Sequence, residues 1–457
     1  MNGSRSGTLR RLWGAPAALA LVALLTLLSA CGAGSSVSGG TGASVKGSQN
    51  PLLACPSSTN TSAASAESGN VTLNVTGWSS SPAEDALVQK GFDNFTKKYP
   101  NITVKWSPIP DAYDTKMRAN VASGNVADVF YLQPGMAQQY IPSGKLLNLS
   151  PYMGRDKVGG DTYYSSLMTP FDCADGTVYG IPKDWNTLGL VYNKTMLQQA
   201  GLSDPSNWSW SDLQSAAQKL TKGNVKGIAL PPDASRMGAF LFGNGGQMLS
   251  SDGKSATFNN QAAVDAATFY TSFEKSKTGA TPKDIGAGWD GEAFGKQQVA
   301  MTLEGGWMIP FMTSTYPSVQ YAIAPLPKAS NGQRGNLIFT NAWAAYSKTA
   351  HPDAAWKLVQ YMTGQEYQTE VLHSGFALPT IKALASDSYF NDHPDVSALA
   401  AGADYGKADF YGTADSQIHS ELASALESIM LGKSDVKPAL DKAAQNVDTW
   451  IQQNTAP

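Results

Sequence analysis

Apolar and polar residues alternate over Val71-Thr72-Leu73-Asn74-Val75-Thr76, a pattern that predicts a strand ending at Gly77-Trp78. A helix follows. Ser81-Pro82-Ala83-Glu84 supplies its start, Ala86, Leu87, Phe92 and Phe95 set an apolar face, and Tyr99-Pro100 stops it. The pattern then predicts a strand over Ile102 to Trp106, a helix over Tyr113 to Ala122 and a strand over Ala127 to Tyr131. This β-α-β-α-β order predicts an α/β fold built on a mainly parallel sheet with helices on both faces. Ligands bind such sheets at the carboxyl ends of the strands. The alternation continues with strands at Leu188 to Tyr192 and Val299 to Leu303 and helices at Gln261 to Lys275 and Asp353 to Thr363. Two last helices, Gln417 to Met430 and Val436 to Gln452, are separated by Gly432. No short internal repeat is present.

Upstream of Val71 the periodicity stops. Residues 31–70 are mostly Gly, Ser, Ala, Thr and Asn, with Pro51 and Pro56, and read as a flexible linker. Residues 1–30 join Arg5, Arg10 and Arg11 to an apolar run from Ala15 to Leu28, ending in Leu28-Ser29-Ala30-Cys31-Gly32. Those about 14 apolar or small residues fall short of the roughly 20 that span a bilayer, so the segment reads as a secretion signal. It resembles a bacterial lipoprotein signal. That resemblance implies a mature chain starting at Cys31, with diacylglycerol on its thiol, tethered to the extracytoplasmic face of the cell membrane. An ordinary signal peptide cleaved near Ala30 is the alternative.

The remaining about 425 residues exceed the roughly 250–300 that one hydrophobic core sustains, which predicts two lobes. Removing the three arginines of residues 1–30, which hold no acid, takes the formal charge from −3 to −6. That balance argues against a nucleic-acid partner. With Cys31 assigned to lipid, Cys55 and Cys173 remain as an even pair in an oxidising location, and a disulfide between them is expected. It would close a loop of roughly 120 residues and contribute about 4–5 kcal/mol in the chain-entropy model. Two unpaired cysteines are the alternative.

The chain holds no P-loop, no H-E-x-x-H, no G-x-S-x-G and no C-x-x-C, and His351, His373, His393 and His419 are scattered without metal-ligand spacing. No metal, cofactor or catalytic residue is expected. Gly243-Asn244-Gly245-Gly246 lacks the Lys and Ser/Thr of a phosphate cradle and reads as a turn.

Three segments carry a family resemblance. Tyr179-Gly180-Ile181-Pro182-Lys183-Asp184-Trp185-Asn186-Thr187-Leu188-Gly189-Leu190-Val191-Tyr192-Asn193-Lys194 resembles the inter-lobe crossover of the maltose-binding-like extracellular sugar-binding proteins of ABC importers. Met301-Thr302-Leu303-Glu304-Gly305-Gly306-Trp307 resembles that family's strand-to-ligand turn, and His373-Ser374-Gly375-Phe376-Ala377-Leu378-Pro379 its later crossing. The resemblance implies a two-lobed periplasmic-binding-protein-like fold of type II. Each lobe would be a mostly parallel sheet flanked by helices, and hinge strands would join the two. Lobe 1 would comprise 71–185 and 328–375, and lobe 2 would comprise 186–327 and 376–457. It also implies a monomeric, non-catalytic subunit that captures an oligosaccharide, malto-oligosaccharides being favoured, and delivers it to ABC permease transmembrane subunits.

A sugar ring presents an apolar face of C–H bonds and a rim of hydroxyls, so its receptor needs aromatic planes together with carboxylates and amides. Trp78, Ser79, Ser80 and Glu84 after the first strand suit such a loop, as do Tyr131 and Gln133 at the end of the third. Asp184, Trp185 and Asn186 sit at the hinge, and Glu304, Gly306 and Trp307 offer the same pairing from lobe 2. Trp343, Phe376 and Tyr411 are further stacking candidates. Trp343, in an alternating run, and Tyr411 can equally be core, and Glu84 can be an early-turn carboxylate favoured by the helix dipole. A cell-surface glycosidase using Asp184 and Glu304 as paired carboxylates is the rival function, and a lipoprotein adhesin or scaffold is a third.

Overall fold

In the computed structural model, residues 62–79 and 81–454 are described. The signal segment, Cys31, Cys55 and Ser80 lie outside them, as does most of the linker.

Strand β1 (Val71–Thr76) buries Val71, Leu73 and Val75 and exposes Thr72 and Asn74, as its alternation requires. It pairs in parallel with β2 (Ile102–Trp106) and with β3 (Val129–Leu132). Between them run a helix over Pro82–Lys98, N-capped by Ser81, and a helix over Tyr113–Ser123. The third strand starts two residues later than the pattern predicts. Asp128 is used instead as a plug, its Oδ2 accepting from the Asn74 backbone N–H at 2.8 Å.

Strand β4 (Gly180–Asn186) is buried at every position, which hides it from any alternation test. The chain turns through Thr187 and Leu188 into β5 (Gly189–Asn193), a strand of a second sheet. This sheet has the order β7-β6-β8-β5-β9, with β6 (Lys226–Ala229), β7 (Gly279–Ala280), β8 (Val299–Glu304) and β9 (Tyr321–Ala324). The first sheet is completed by β10 (Asn336–Ala345) and β11 (Gly406–Ala408), in the order β11-β10-β3-β1-β2, with β4 also on β10. Each sheet is parallel where helices connect its strands. Antiparallel pairing joins β10 to β3 and β4, and β5 to β8 and β9. One core packs around the first sheet and includes Trp343 and Trp356. Another packs around the second and takes in the helices Asp415–Met430 and Val436–Asn454.

The chain crosses between the lobes at Thr187-Leu188, between β9 and β10, and around Phe376 to Ile381. Side chains tie these crossings together. Asn336 donates to the Leu188 carbonyl at 2.7 Å and accepts from the Leu188 N–H at 3.0 Å. Thr340 Oγ1 donates to the Asp184 carbonyl, and Trp185 exchanges both backbone hydrogen bonds with Leu378. Buried amide groups at the hinge are thereby satisfied inside it, which favours a few defined hinge arrangements over a loose linker.

Gly243-Asn244-Gly245-Gly246 is a turn, as read. It ends the helix Ala234–Gly243, with Gly245 at φ 84°.

Candidate ligand-binding cleft

A cleft of about 970 Å³ lies between residues of the two sheets and is lined from both sides. That is the upper end of the range for small-molecule sites.

The lobe 1 wall begins at Trp78, directly after β1, whose ring packs on Tyr131 at 4.5 Å and edge-on against Tyr113 at 5.4 Å. Ser81 and Glu84 follow from the first turn of the next helix; Glu84 is also 98 % buried, so it does far more than decorate a helix start. The remaining part of the wall comes from β4. Opposite Asn341 and Ala342 of β10 stand Asp184 and Pro182, so Lys183 is an extra residue in the ladder, a β-bulge. A bulge re-aims side chains. Lys183 and Asp184 therefore both reach the cleft although they are adjacent, and Asn186 joins them by ordinary alternation. The Lys183 carbonyl, out of register, accepts instead from Gln368 Nε2 at 2.8 Å. Lys183 Nζ is bonded to Asp184 Oδ2 and lies 3.6 Å from Glu84 Oε1. Burial alone would push its ammonium pKa down, but Asp184 and Glu84 outweigh that and raise it.

The lobe 2 wall centres on Glu304, the last residue of β8 and wholly buried. Arg236 reaches it from the helix capped by Asp233. Its Nη2 donates to Glu304 Oε1 at 2.9 Å, its Nε lies 3.0 Å from Asp290 Oδ2 and donates to the Leu303 carbonyl, and its Nη1 meets Asp233 Oδ1 at 3.3 Å. Trp307 Nε1 donates to Glu304 Oε2 at 2.6 Å, which fixes the plane of the indole. Burial pushes the Glu304 carboxyl well above the usual range and Asp290 adds to this, against the opposing pull of Arg236. The Arg236 guanidinium is held charged, its burial outweighed by the surrounding carboxylates. Trp289 and Phe311, ring centroids 4.8 Å apart, also line the cleft, as do Met430 and Leu431.

Gly306 sits where the lobe 2 turn meets the hinge. Its N–H donates to Asn186 Oδ1 at 2.9 Å, and a Cβ there would stand 2.8 Å from that oxygen and from the Phe376 carbonyl. Only glycine fits this approach.

Of the residues expected from the sequence, Trp78, Glu84, Asp184, Asn186, Glu304, Trp307 and Phe376 line this one cleft, with Gly306 just behind it. The others are placed elsewhere. Trp185 faces away, its Nε1 donating to the Pro379 carbonyl, because after the bulge alternation gives the cleft to Asp184 and Asn186. Tyr131 and Trp343 pack on each other at 4.5 Å in the lobe 1 core, both about 99 % buried. Ser79 turns its hydroxyl to Asp85 Oδ2 at 2.6 Å. Gln133 lines a separate 470 Å³ pocket beside Asp415 and His419, and Tyr411 is buried in the lobe 2 core with its ring 5.6 Å from His419. Residues that sequence reasoning passed over include Lys183, Arg236, Asp290, Trp289, Phe339 and Asn341. Trp289 carried the one usable signal, an aromatic directly after Gly288 in the sequence.

The family model of bacterial extracellular solute-binding proteins matches residues 78–369. The chain is 24 % identical over 411 residues to a putative ABC transporter periplasmic-binding protein of Escherichia coli, covering 84 % of this chain and 94 % of that one. It is 25 % identical over 313 residues to the multiple sugar-binding protein of Streptococcus mutans, covering 61 % and 68 %. Its fold superposes with a TM-score of 0.77 on an ABC substrate-binding protein of Listeria monocytogenes solved with cycloalternan, at 23 % identity over 84 % of this chain and 99 % of that one.

Proposed function

Because the chain belongs to the family of bacterial extracellular solute-binding proteins, we propose that it captures an oligosaccharide between its lobes and delivers it to the permease of an ABC importer. It is a binding protein, not an enzyme. One observation carries the ligand class. The indoles of Trp307, after β8, and Trp78, after β1, line one cleft together with the buried carboxylates Glu304 and Glu84, and Trp307 Nε1 donates to Glu304. Aromatic planes with adjacent acceptors are what a sugar ring with its rim of hydroxyls requires. The name of the Streptococcus mutans relative, a multiple sugar-binding protein, and the cycloalternan in the Listeria structure agree with it.

In this reading Trp78, Glu84, Asp184, Asn186, Glu304, Trp307 and Phe376 touch the ligand. Lobe 1 comprises 71–185 and 328–375, and lobe 2 comprises 186–327 and 376–457. Binding shifts the population toward a closed form, because the sugar touches both walls only there. The monomer is tethered outside the cell by lipid on Cys31, which keeps it near its permease. Cys173, wholly buried and not a free thiol, pairs with Cys55.

The test is a thermal-shift and calorimetry panel of malto-oligosaccharides, galacto-oligosaccharides, xylans and amino sugars, run with chromatography of the incubated sugars. Saturable binding with no product release is expected. No shift with any saccharide removes the ligand class, and released product removes the binding-only reading.

A further inference from the structure

Lys183 Nζ lies 4.5 Å from the ring centroid of Tyr131, 5.4 Å from that of Trp78 and 5.7 Å from that of Phe376. The carboxylates of Asp184 and Glu84 complete its surroundings. Three aromatic rings about one ammonium, backed by anions, form the arrangement by which proteins capture alkylammonium ligands. Here the occupant is the chain's own side chain. The bulge at Lys183 puts it there, and Gln368 holds the bulged carbonyl.

The rings hold their places through other contacts. Tyr131 is packed between Trp78 and Trp343, each at 4.5 Å, and its carbonyl accepts from Tyr113 Oη at 2.8 Å. Tyr131 is core, whereas Trp78 and Phe376 also line the cleft. The cage therefore borders the cleft, with the buried lysine filling it.

We propose that Lys183 is the resident occupant of an aromatic alkylammonium cage in the lobe 1 wall, and that it sets specificity by denying that cage to cationic ligands. The Lys183 ammonium already fills the space between the rings and is paired there with Asp184 and Glu84, so an amine-bearing ligand cannot set its own cation among Tyr131, Trp78 and Phe376 while Lys183 is present. An uncharged ring still stacks on both. That last statement rests on the saccharide reading; the cage and its occupancy do not.

The test uses Lys183→Ala in the full chain, titrated by calorimetry and by tryptophan fluorescence with tetramethylammonium chloride and choline chloride. Potassium chloride at matched ionic strength is the control. The parent chain is expected to show no saturable response to either ammonium. Lys183→Ala is expected to bind both at least tenfold more tightly than the parent, with potassium without effect. A folded Lys183→Ala that responds to neither beyond potassium overturns the proposal, as does a parent chain that binds choline as tightly as the variant. Should Lys183→Ala not fold, because Glu84 and Asp184 are left without their cation, Lys183→Ala with Glu84→Gln removes part of that burden. The same titrations then decide. Sugar calorimetry on the parent separates the two readings: sugar bound without ammonium rescue in the variant refutes the cage alone, and ammonium binding without sugar binding refutes the saccharide reading alone.

Discussion

Arg236 is the residue whose loss the structure prices most clearly. It supplies the cation for three carboxylates, Asp233, Asp290 and Glu304, of which Asp290 and Glu304 have side chains 4 % and 0 % exposed. Arg236→Met keeps the aliphatic stem and removes the charge. Asp290 and Glu304 then face each other in a buried site where, among the described residues, Trp307 Nε1 still donates to Glu304 and Thr302 Oγ1 to Asp290. Removing one partner of a buried ion pair costs about 3–5 kcal/mol, and that is the loss expected at pH 7.5. The cost must fall with pH. Burial already raises the Glu304 carboxyl pKa well above the usual range, and Arg236 is the group opposing the rise. Without Arg236 it rises further, so Glu304 contributes stability in its protonated form at low pH and loses it as pH rises through the folded-state value. At pH 4.5 the variant should recover part of the deficit. Urea denaturation followed by tryptophan fluorescence at both pH values measures this, with m-values checked because two lobes need not unfold together. A deficit that is equal at pH 4.5 and 7.5, or absent at 7.5, refutes the account of the network.

Trp307→Ala should remove most saccharide affinity, about 1–3 kcal/mol for a lost stacking plane and its buried area, with the melting temperature little changed; calorimetry showing parental affinity would contradict the stacking role. Gly306→Ala places a Cβ 2.8 Å from Asn186 Oδ1 and the Phe376 carbonyl and should cost about 1–3 kcal/mol by overpacking, read by urea denaturation, while Gly245→Ala, in open space but at positive φ, reports the backbone cost alone. Asp172 is fully buried with neither carboxylate oxygen hydrogen-bonded among the described residues, and burial pushes its pKa up to about 8. Its folded value lies above its unfolded one, so stability should fall as pH rises from about 4 to 8, by at most about 1.4 kcal/mol per pH unit; Asp172→Asn should flatten that fall, and an unchanged stability–pH curve would be inconsistent with it. Cys55→Ser should make the melting point insensitive to reductant where the parent is sensitive; a parent equally insensitive removes the disulfide.

Helices and strands with one buried face were legible in the sequence almost to the residue. The helix Gln261–Lys275 and the strands Val71–Thr76 and Ile102–Trp106 match their expected bounds because each alternates or repeats with a single period. Where burial is uniform that signal vanishes. Gly180–Asn186 is buried throughout, so only the family resemblance pointed to it as a crossover, and nothing in its pattern disclosed the extra residue at Lys183. That one insertion decides which of Lys183, Asp184 and Trp185 face the cleft. Aromatic content misled for a related reason. Tyr131 and Trp343 stand near strand ends as ligand-facing residues do, yet their rings fill the core between the first sheet and its helices. Arg236 and Asp290 come from elements far apart in the chain and meet only through β8, a long-range pairing no local window contains.

Asn186 shows how the hinge and the site share atoms. Its Oδ1 accepts from Gly306 N–H and its Nδ2 donates to the Phe376 carbonyl at 3.3 Å, so one side chain joins the first crossing, the third crossing and the turn that carries Trp307. In the proposed mechanism, a contact made in both the open and closed forms adds affinity without shifting their balance; only contacts made in one form move it. Trp307 is tied through its turn to the hinge and through Glu304 to Arg236. Trp289, Phe311, Met430 and Leu431 line the same cleft with no such tie among the described residues. In that mechanism a ligand that leaves any of these groups untouched until the lobes approach is the one that shifts the balance toward closure.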